Sequence, residues 1–153
     1  MSKPEFVYVS YIETTPEKLW EALTNSDFSK RYWFGTEVRS DWKVGSPFAL
    51  VTDGITSDTG TILEADPPRR LAYTFKHERF EEMRDEAATK VTFTIEPYGG
   101  IVKLTVTHEG FAAGSKLLGA ISNGWPAILS GLKSLLETGH AVTILPEALG
   151  KVR

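Results

Sequence analysis

Two of the chain's three histidines, His77 and His108, sit where chemistry could be done. Each closes a run in which every second residue is apolar: Leu71, Tyr73, Phe75, His77 in one, and Val102, Leu104, Val106, His108 in the other. A run of that period is a strand with one buried face. If consecutive strands form a meander, the two histidine strands run parallel with one strand between them, and their backbones lie about 10 Å apart. That spacing is too wide for a shared metal ion, and Thr89 falls between them. An imidazole at the end of an inward face can form a polar rim that orients a ligand's carbonyl or hydroxyl. It can equally satisfy itself by hydrogen bonding at a strand end. Both readings remain open at this level.

Other reactive groupings are sparse. Glu13, Asp53 and Glu64 could act as acids or bases, but nothing in the sequence brings two of them together, and surface or strand-edge positions suit them better. No Gly-x-Ser-x-Gly elbow frames a serine nucleophile, no glycine-rich loop precedes a helix to cradle phosphate, and no metal-ligand cluster is visible. With 0 cysteines, disulfides, thiolate metal sites and a cysteine nucleophile are excluded. No cofactor is implied. No carboxylate–histidine constellation is evident either, so a non-enzymatic role is favoured over catalysis, which stays open.

The elements that would position these groups begin with the stretch 114–139, GSKLLGAISNGWPAILSGLKSLLETG. Leu118, Ile121, Trp125, Ile128, Leu129, Leu132, Leu135 and Leu136 recur in steps of three and four, which makes one apolar helical stripe. Ser115 is placed to cap the start and Gly139 to end it in the left-handed region. Pro126 predicts a kink or a restart near 123–126. Ahead of this helix the pattern is mostly strand. Phe6 to Glu13 opens the chain, and a helix follows with Thr15 as cap and Pro16 at its first position. A second short helix is expected around Asp27–Tyr32. Strands are expected over 47–52, 59–65, 70–77, 89–96 and 101–108, with turns at Asp53-Gly54 and Tyr98-Gly99-Gly100. The charged run 78–88 reads as a mobile connection or a short helical turn, solvated and near any cavity mouth. The fold class predicted is α+β: an antiparallel sheet whose apolar face is covered by the terminal helix.

Composition bounds the partners. The 153 residues are 41% hydrophobic with a net charge of −3, which fits one globular domain, core 6–139 and tail 140–153. No basic run marks a nucleic-acid partner. The start, MSKPEFVYVS, is too polar for a signal peptide and no apolar run reaches membrane-spanning length, so a cytoplasmic location is expected.

Six segments carry a family resemblance: TPEKLWEAL (15–23), YWFG (32–35), DWKVG (41–45), DPPRRL (66–71), HEGF (108–111) and GWPAIL (124–129). In this order they resemble the bacterial proteins related to the activator of the heat-shock-protein-90 ATPase, within the START-like or SRPBCC superfamily. The likeness spans about residues 6–139. It implies the helix-grip fold, also called birch-pollen-allergen-like: a curved antiparallel sheet gripping a long C-terminal helix, with two short helices after the first strand and an apolar cavity between sheet and helix. It further implies binding of a small hydrophobic molecule, lipid-like or aromatic and polyketide-like. A stress-related role, a chaperone contact or a cyclase- or hydrolase-like activity are its other implications, and a homodimer stays open, since nothing in the sequence separates a helix face used in the core from one used between chains.

Strand parity then nominates a ligand-binding set: Phe48, Leu50, Tyr73, Phe75, His77, Phe93, Leu104, Val106 and His108 from the sheet, and Ile121, Trp125 and Ile128 from the helix. Trp33 and Trp42 are expected to close one end. Large aromatics suit a ligand wall, though each of these side chains could equally be close-packed core.

Overall fold

The computed structural model describes residues 4–142. In chain order the elements are β1 (Glu5–Ile12), α1 (Pro16–Thr24), α2 (Ser26–Tyr32), β2 (Glu37–Ser40), β3 (Pro47–Thr52), β4 (Ile55–Asp66), β5 (Arg70–His77), α3 (Glu81–Arg84), β6 (Thr89–Tyr98), β7 (Ile101–Glu109) and α4 (Lys116–Thr138). The strands make one seven-stranded sheet in the order β1-β7-β6-β5-β4-β3-β2, with every neighbouring pair antiparallel. This is the helix-grip fold, a curved antiparallel sheet holding a long C-terminal helix.

Local chemistry explains most boundaries. Thr15 Oγ1 accepts the Lys18 amide at 3.2 Å and Pro16 opens α1, whose Leu19, Ala22 and Leu23 are buried. Asp53 and Gly54 both take positive φ (51° and 78°), as a tight two-residue hairpin requires. Gly60 marks the closest approach of β4 to β5: a Cβ there would lie 1.8 Å from the Thr74 carbonyl oxygen. Register shifts at Leu50/Val51 and at Ile62/Glu64 add local twist where the sheet bends.

The expected alternation holds in β5, β6 and β7: Leu71, Tyr73, Phe75, Val91, Phe93, Ile95, Val102, Leu104 and Val106 are all buried. Four readings need correction. β2 was not foreseen, because Glu-Val-Arg-Ser is short and polar and its place is decided by pairing with β3. α4 is one helix from Lys116 to Thr138, with no restart at Pro126. Pro126 removes only the bond that the Ser122 carbonyl would accept, and packing on both sides of it carries the helix through. The buried stripe of α4 is phased on Leu117, Ile121, Gly124, Trp125 and Ile128, leaving Leu118 and Leu136 partly buried. The run 78–88 does hold the expected short helical turn, α3, but it is anchored and not a solvated loop: Met83 is buried, and Glu86 accepts the Lys116 and Leu117 amides at 3.0 and 3.1 Å and the Ser115 hydroxyl at 2.5 Å.

Of the expected C-terminal tail, His140 is tied to the helix end, its carbonyl accepting Ser134 Oγ at 2.8 Å. Residues 143–153 lie outside the described part of the chain. Among the described residues no helix is long and apolar enough to cross a membrane.

Candidate functional site

The interior between α4 and the sheet is almost filled. Phe48 stacks on Tyr73 with ring centroids 3.9 Å apart, Tyr73 meets Phe93 at 5.8 Å, and Phe93 meets the Trp125 edge at 5.9 Å. Those aromatics supply close-packed burial. Among the described residues a void of about 10 Å³, room for about one water, is lined by Trp33, Phe75, Ile121, Gly124, Trp125 and Ile128. Five of these six were nominated from sequence and are brought together here. Gly124 was not. A glycine in the buried stripe of a helix costs about 1 kcal/mol relative to alanine; α4 holds two, Gly124 and Gly131, and Gly131 is accounted for by its close contact with Tyr32. A Cβ built on Gly124 meets nothing within 4 Å, so the residue borders open space.

The other nominated residues do not line the void. Phe48, Leu50, Tyr73, Phe93, Leu104 and Val106 are buried around it, and Trp42 is half-buried against Phe48 at 6.0 Å. Trp33 and Trp42 therefore do not close one end together. Trp33 lies against Trp125, with centroids 5.3 Å apart.

The histidines are interior groups and form no rim, with His77 2% exposed and His108 fully buried. Trp125 Nε1 donates to His108 Nδ1 at 3.1 Å. That makes Nδ1 the acceptor, so the proton of the neutral ring is on Nε2, which faces Thr89 Oγ1 at 2.7 Å. Thr89 Oγ1 in turn donates to the Phe75 carbonyl at 3.0 Å. The result is a one-way chain, Trp125 to His108 to Thr89 to the β5 backbone, and it defines a neutral imidazole.

His77 makes a pair that the sequence reading missed. Its Nδ1 lies 2.9 Å from Oδ1 of Asp58, which is fully buried, and Ser57 Oγ donates to Asp58 Oδ2 at 2.8 Å. A carboxylate–histidine pair therefore exists where none was expected. The available signal was parity: Asp58 is four residues from the apolar Ile62 and so falls on the same, buried face of β4. Catalysis through this pair is blocked in this arrangement, because the Phe80 amide donates to His77 Nε2 at 2.9 Å and the Phe80 ring stacks on the imidazole at 5.5 Å. The pair anchors the start of the 78–88 segment to β4.

Two buried side-chain polar atoms lack a partner among the described residues, Thr14 Oγ1 and Trp33 Nε1. Trp33 is 2% exposed and, among the described residues, its Nε1–H has no hydrogen-bond partner. Its neighbour Tyr32 donates its hydroxyl to the Ala22 carbonyl at 2.8 Å, and burial pushes that phenol far above its usual range. No group of three or more metal-ligating side chains is present among the described residues.

A family model described as Activator of Hsp90 ATPase homolog 1-like protein matches residues 13–137. Among solved structures, a protein from Mesorhizobium loti is 27% identical, over 87% of this chain and 96% of its own, with a TM-score of 0.75. The Aha1 dimer from Colwellia psychrerythraea is 20% identical over 89% of this chain and 98% of that one, TM-score 0.73. An HSP90 activator from Plasmodium falciparum is 24% identical over 86% and 95%, TM-score 0.71. At those identities the last two show a shared fold. No curated protein sequence matches the chain.

Proposed function

Starting from a chain that belongs to the Activator of Hsp90 ATPase homolog 1-like family, within the SRPBCC type, we propose that it binds a small hydrophobic molecule between α4 and the sheet. The observation that carries this reading is the apolar void at Gly124, walled by Trp33, Phe75, Ile121, Trp125 and Ile128. A helix that keeps a glycine beside empty apolar space forgoes stability that a larger side chain would supply, which suits a place that must accept a guest. At about 10 Å³ the space is closed, so binding draws on a form in which α4 has moved outward or an aromatic has turned. Trp42, Phe48, Leu50, Tyr73, Phe93, Leu104 and Val106 form the supporting shell. His108 holds Trp125 in place, and His77 holds the 78–88 segment beside the helix start. Neither histidine is an orienting donor, since their ring nitrogens are already engaged.

Native mass spectrometry of freshly purified protein, followed by titration with lipids, flavonoids and polyketide-like compounds, tests this. A stoichiometric adduct or saturable binding that Gly124→Leu removes supports it. A bare mass and flat titrations across the panel overturn it.

A second reading, contact with an Hsp90-type chaperone, has a separate observation in its favour. The outer face of edge strand β1 exposes Val7, Val9 and Tyr11 at 52%, 43% and 43%. Stimulation of a bacterial homologue's ATPase, lost in Val9→Asp, would support this reading and its stress association. Absence of stimulation removes both.

A further inference from the structure

We propose that the guest is a neutral, compact aromatic molecule with a single strong hydrogen-bond acceptor, a ketone or aldehyde oxygen, which takes the Trp33 Nε1–H. The inference rests on the binding reading above and names the chemistry of that site. Trp33 and Trp125 both line the void, their rings in tilted contact with centroids 5.3 Å apart, yet their indole N–H groups differ. That of Trp125 is satisfied by His108, whereas that of Trp33 is buried without an acceptor among the described residues. A buried N–H left unpaired is destabilising, and native interiors rarely keep one without a reason.

A resident water is a poor answer. The void holds about one, but a stable buried water needs two to four polar partners, and the lining is almost wholly apolar. A ligand oxygen carried on an apolar body needs no further partner. Charge is disfavoured by the same lining, for Phe75, Ile121, Gly124, Trp125 and Ile128 supply no counter-ion. His108 cannot supply one without breaking its bond from Trp125. The aromatic walls favour a flat aromatic body over a long acyl chain.

The test compares acetophenone with α-methylstyrene, which replaces the carbonyl oxygen by a CH₂ of nearly the same shape, and with benzoate. Dissociation constants come from NMR titration of ¹⁵N-labelled protein, with the Trp33 indole signal assigned through Trp33→Phe. The expected result is acetophenone binding at least about tenfold more tightly than α-methylstyrene, with the Trp33 indole proton moving downfield only for the ketone. Trp33→Phe should bring the two affinities together, and benzoate should not bind. Ile121→Ala enlarges the void, so both neutral probes should tighten with their ratio kept; Ile128→Val serves the same purpose if Ile121→Ala does not fold. Equal binding of ketone and alkene by wild type and the enlarged variant overturns the acceptor inference and leaves the binding site standing. No binding of either neutral probe to either protein overturns the inference and removes the site for compact aromatics, and the lipid and polyketide panel then decides the broader reading.

Discussion

Trp125 Nε1 donates to His108 Nδ1 across 3.1 Å, joining the middle of α4 to the end of β7 through the interior. Because His108 is fully buried and passes its own proton to Thr89, the bond is one link in a directed chain and cannot be replaced by solvent. Trp125→Phe keeps most of the apolar contact but leaves Nδ1 without its donor. Unfolding in urea should show a loss of about 1–3 kcal/mol. His108→Ala should cost more, since it leaves Trp125 Nε1 without its acceptor, takes from Thr89 Oγ1 one of its two bonds and opens a cavity. In the double variant the two losses should sum to more than is observed, because the shared bond is counted once. Strict additivity would mean that the bond contributes nothing.

Gly124→Ala adds a methyl group where nothing lies within 4 Å. Helix propensity alone favours alanine by about 1 kcal/mol, and the added methyl fills part of the void. The expected outcome is a higher unfolding midpoint together with weaker binding of acetophenone. A stabilised protein with unchanged binding would place the guest elsewhere.

Glu86 supplies what α4 lacks in its own first turn, an acidic group at the N-terminus. It accepts two backbone amides and the Ser115 hydroxyl, while Ser115 Oγ accepts the Leu118 amide at 3.0 Å. Glu86→Ala should lower stability by about 1–2 kcal/mol, with Glu86→Gln between it and wild type. Amide exchange should quicken over 116–121 ahead of the rest of α4. Exchange that rises uniformly along the helix would argue against a capping role.

Glu137 is bonded to Lys133 Nζ at 2.7 Å and accepts the Glu13 amide at 2.8 Å, so its carboxyl is held below the usual range, first by the lysine and then by that amide. A folded-state value below the unfolded one contributes stability that is present above the ordinary glutamate range, about pH 4.3, and is lost as pH falls through the lowered folded value. The pair is partly exposed, with the Lys133 and Glu137 side chains at 43% and 19%, and solvent screening should keep the effect below about 1 kcal/mol. Glu137→Gln should remove that part of the acid dependence and leave the curve above pH 6 parallel to wild type. The same acid slope in the variant would assign it to other groups.

Much of the scaffold was readable in the sequence because its rules are local. Alternation in Leu71–His77, Val91–Ile95 and Val102–His108 marks a half-buried strand whatever its partners are, and Gly99-Gly100 can turn only where φ is positive. Ser115 and Gly139 bound α4 through cap chemistry that needs a few neighbouring residues at most. Order and turn length then left a meander with a terminal helix as the simplest arrangement.

Tertiary structure decided everything that depends on two distant segments meeting at a stated distance. β2 exists only because β3 pairs with it. Asp58 reaches His77 through the β4–β5 register, and a one-residue slip would turn it to the other face. Leu117 is buried ahead of Leu118 because the rotation of α4 is set by what it packs against, which composition does not encode. The same holds for the site. Aromatic residues were visibly plentiful on the inward faces, but how closely they interlock is a matter of rotamers and contacts. That packing reduced an expected cavity to about 10 Å³ and left the Trp33 N–H without an acceptor beside the satisfied Trp125.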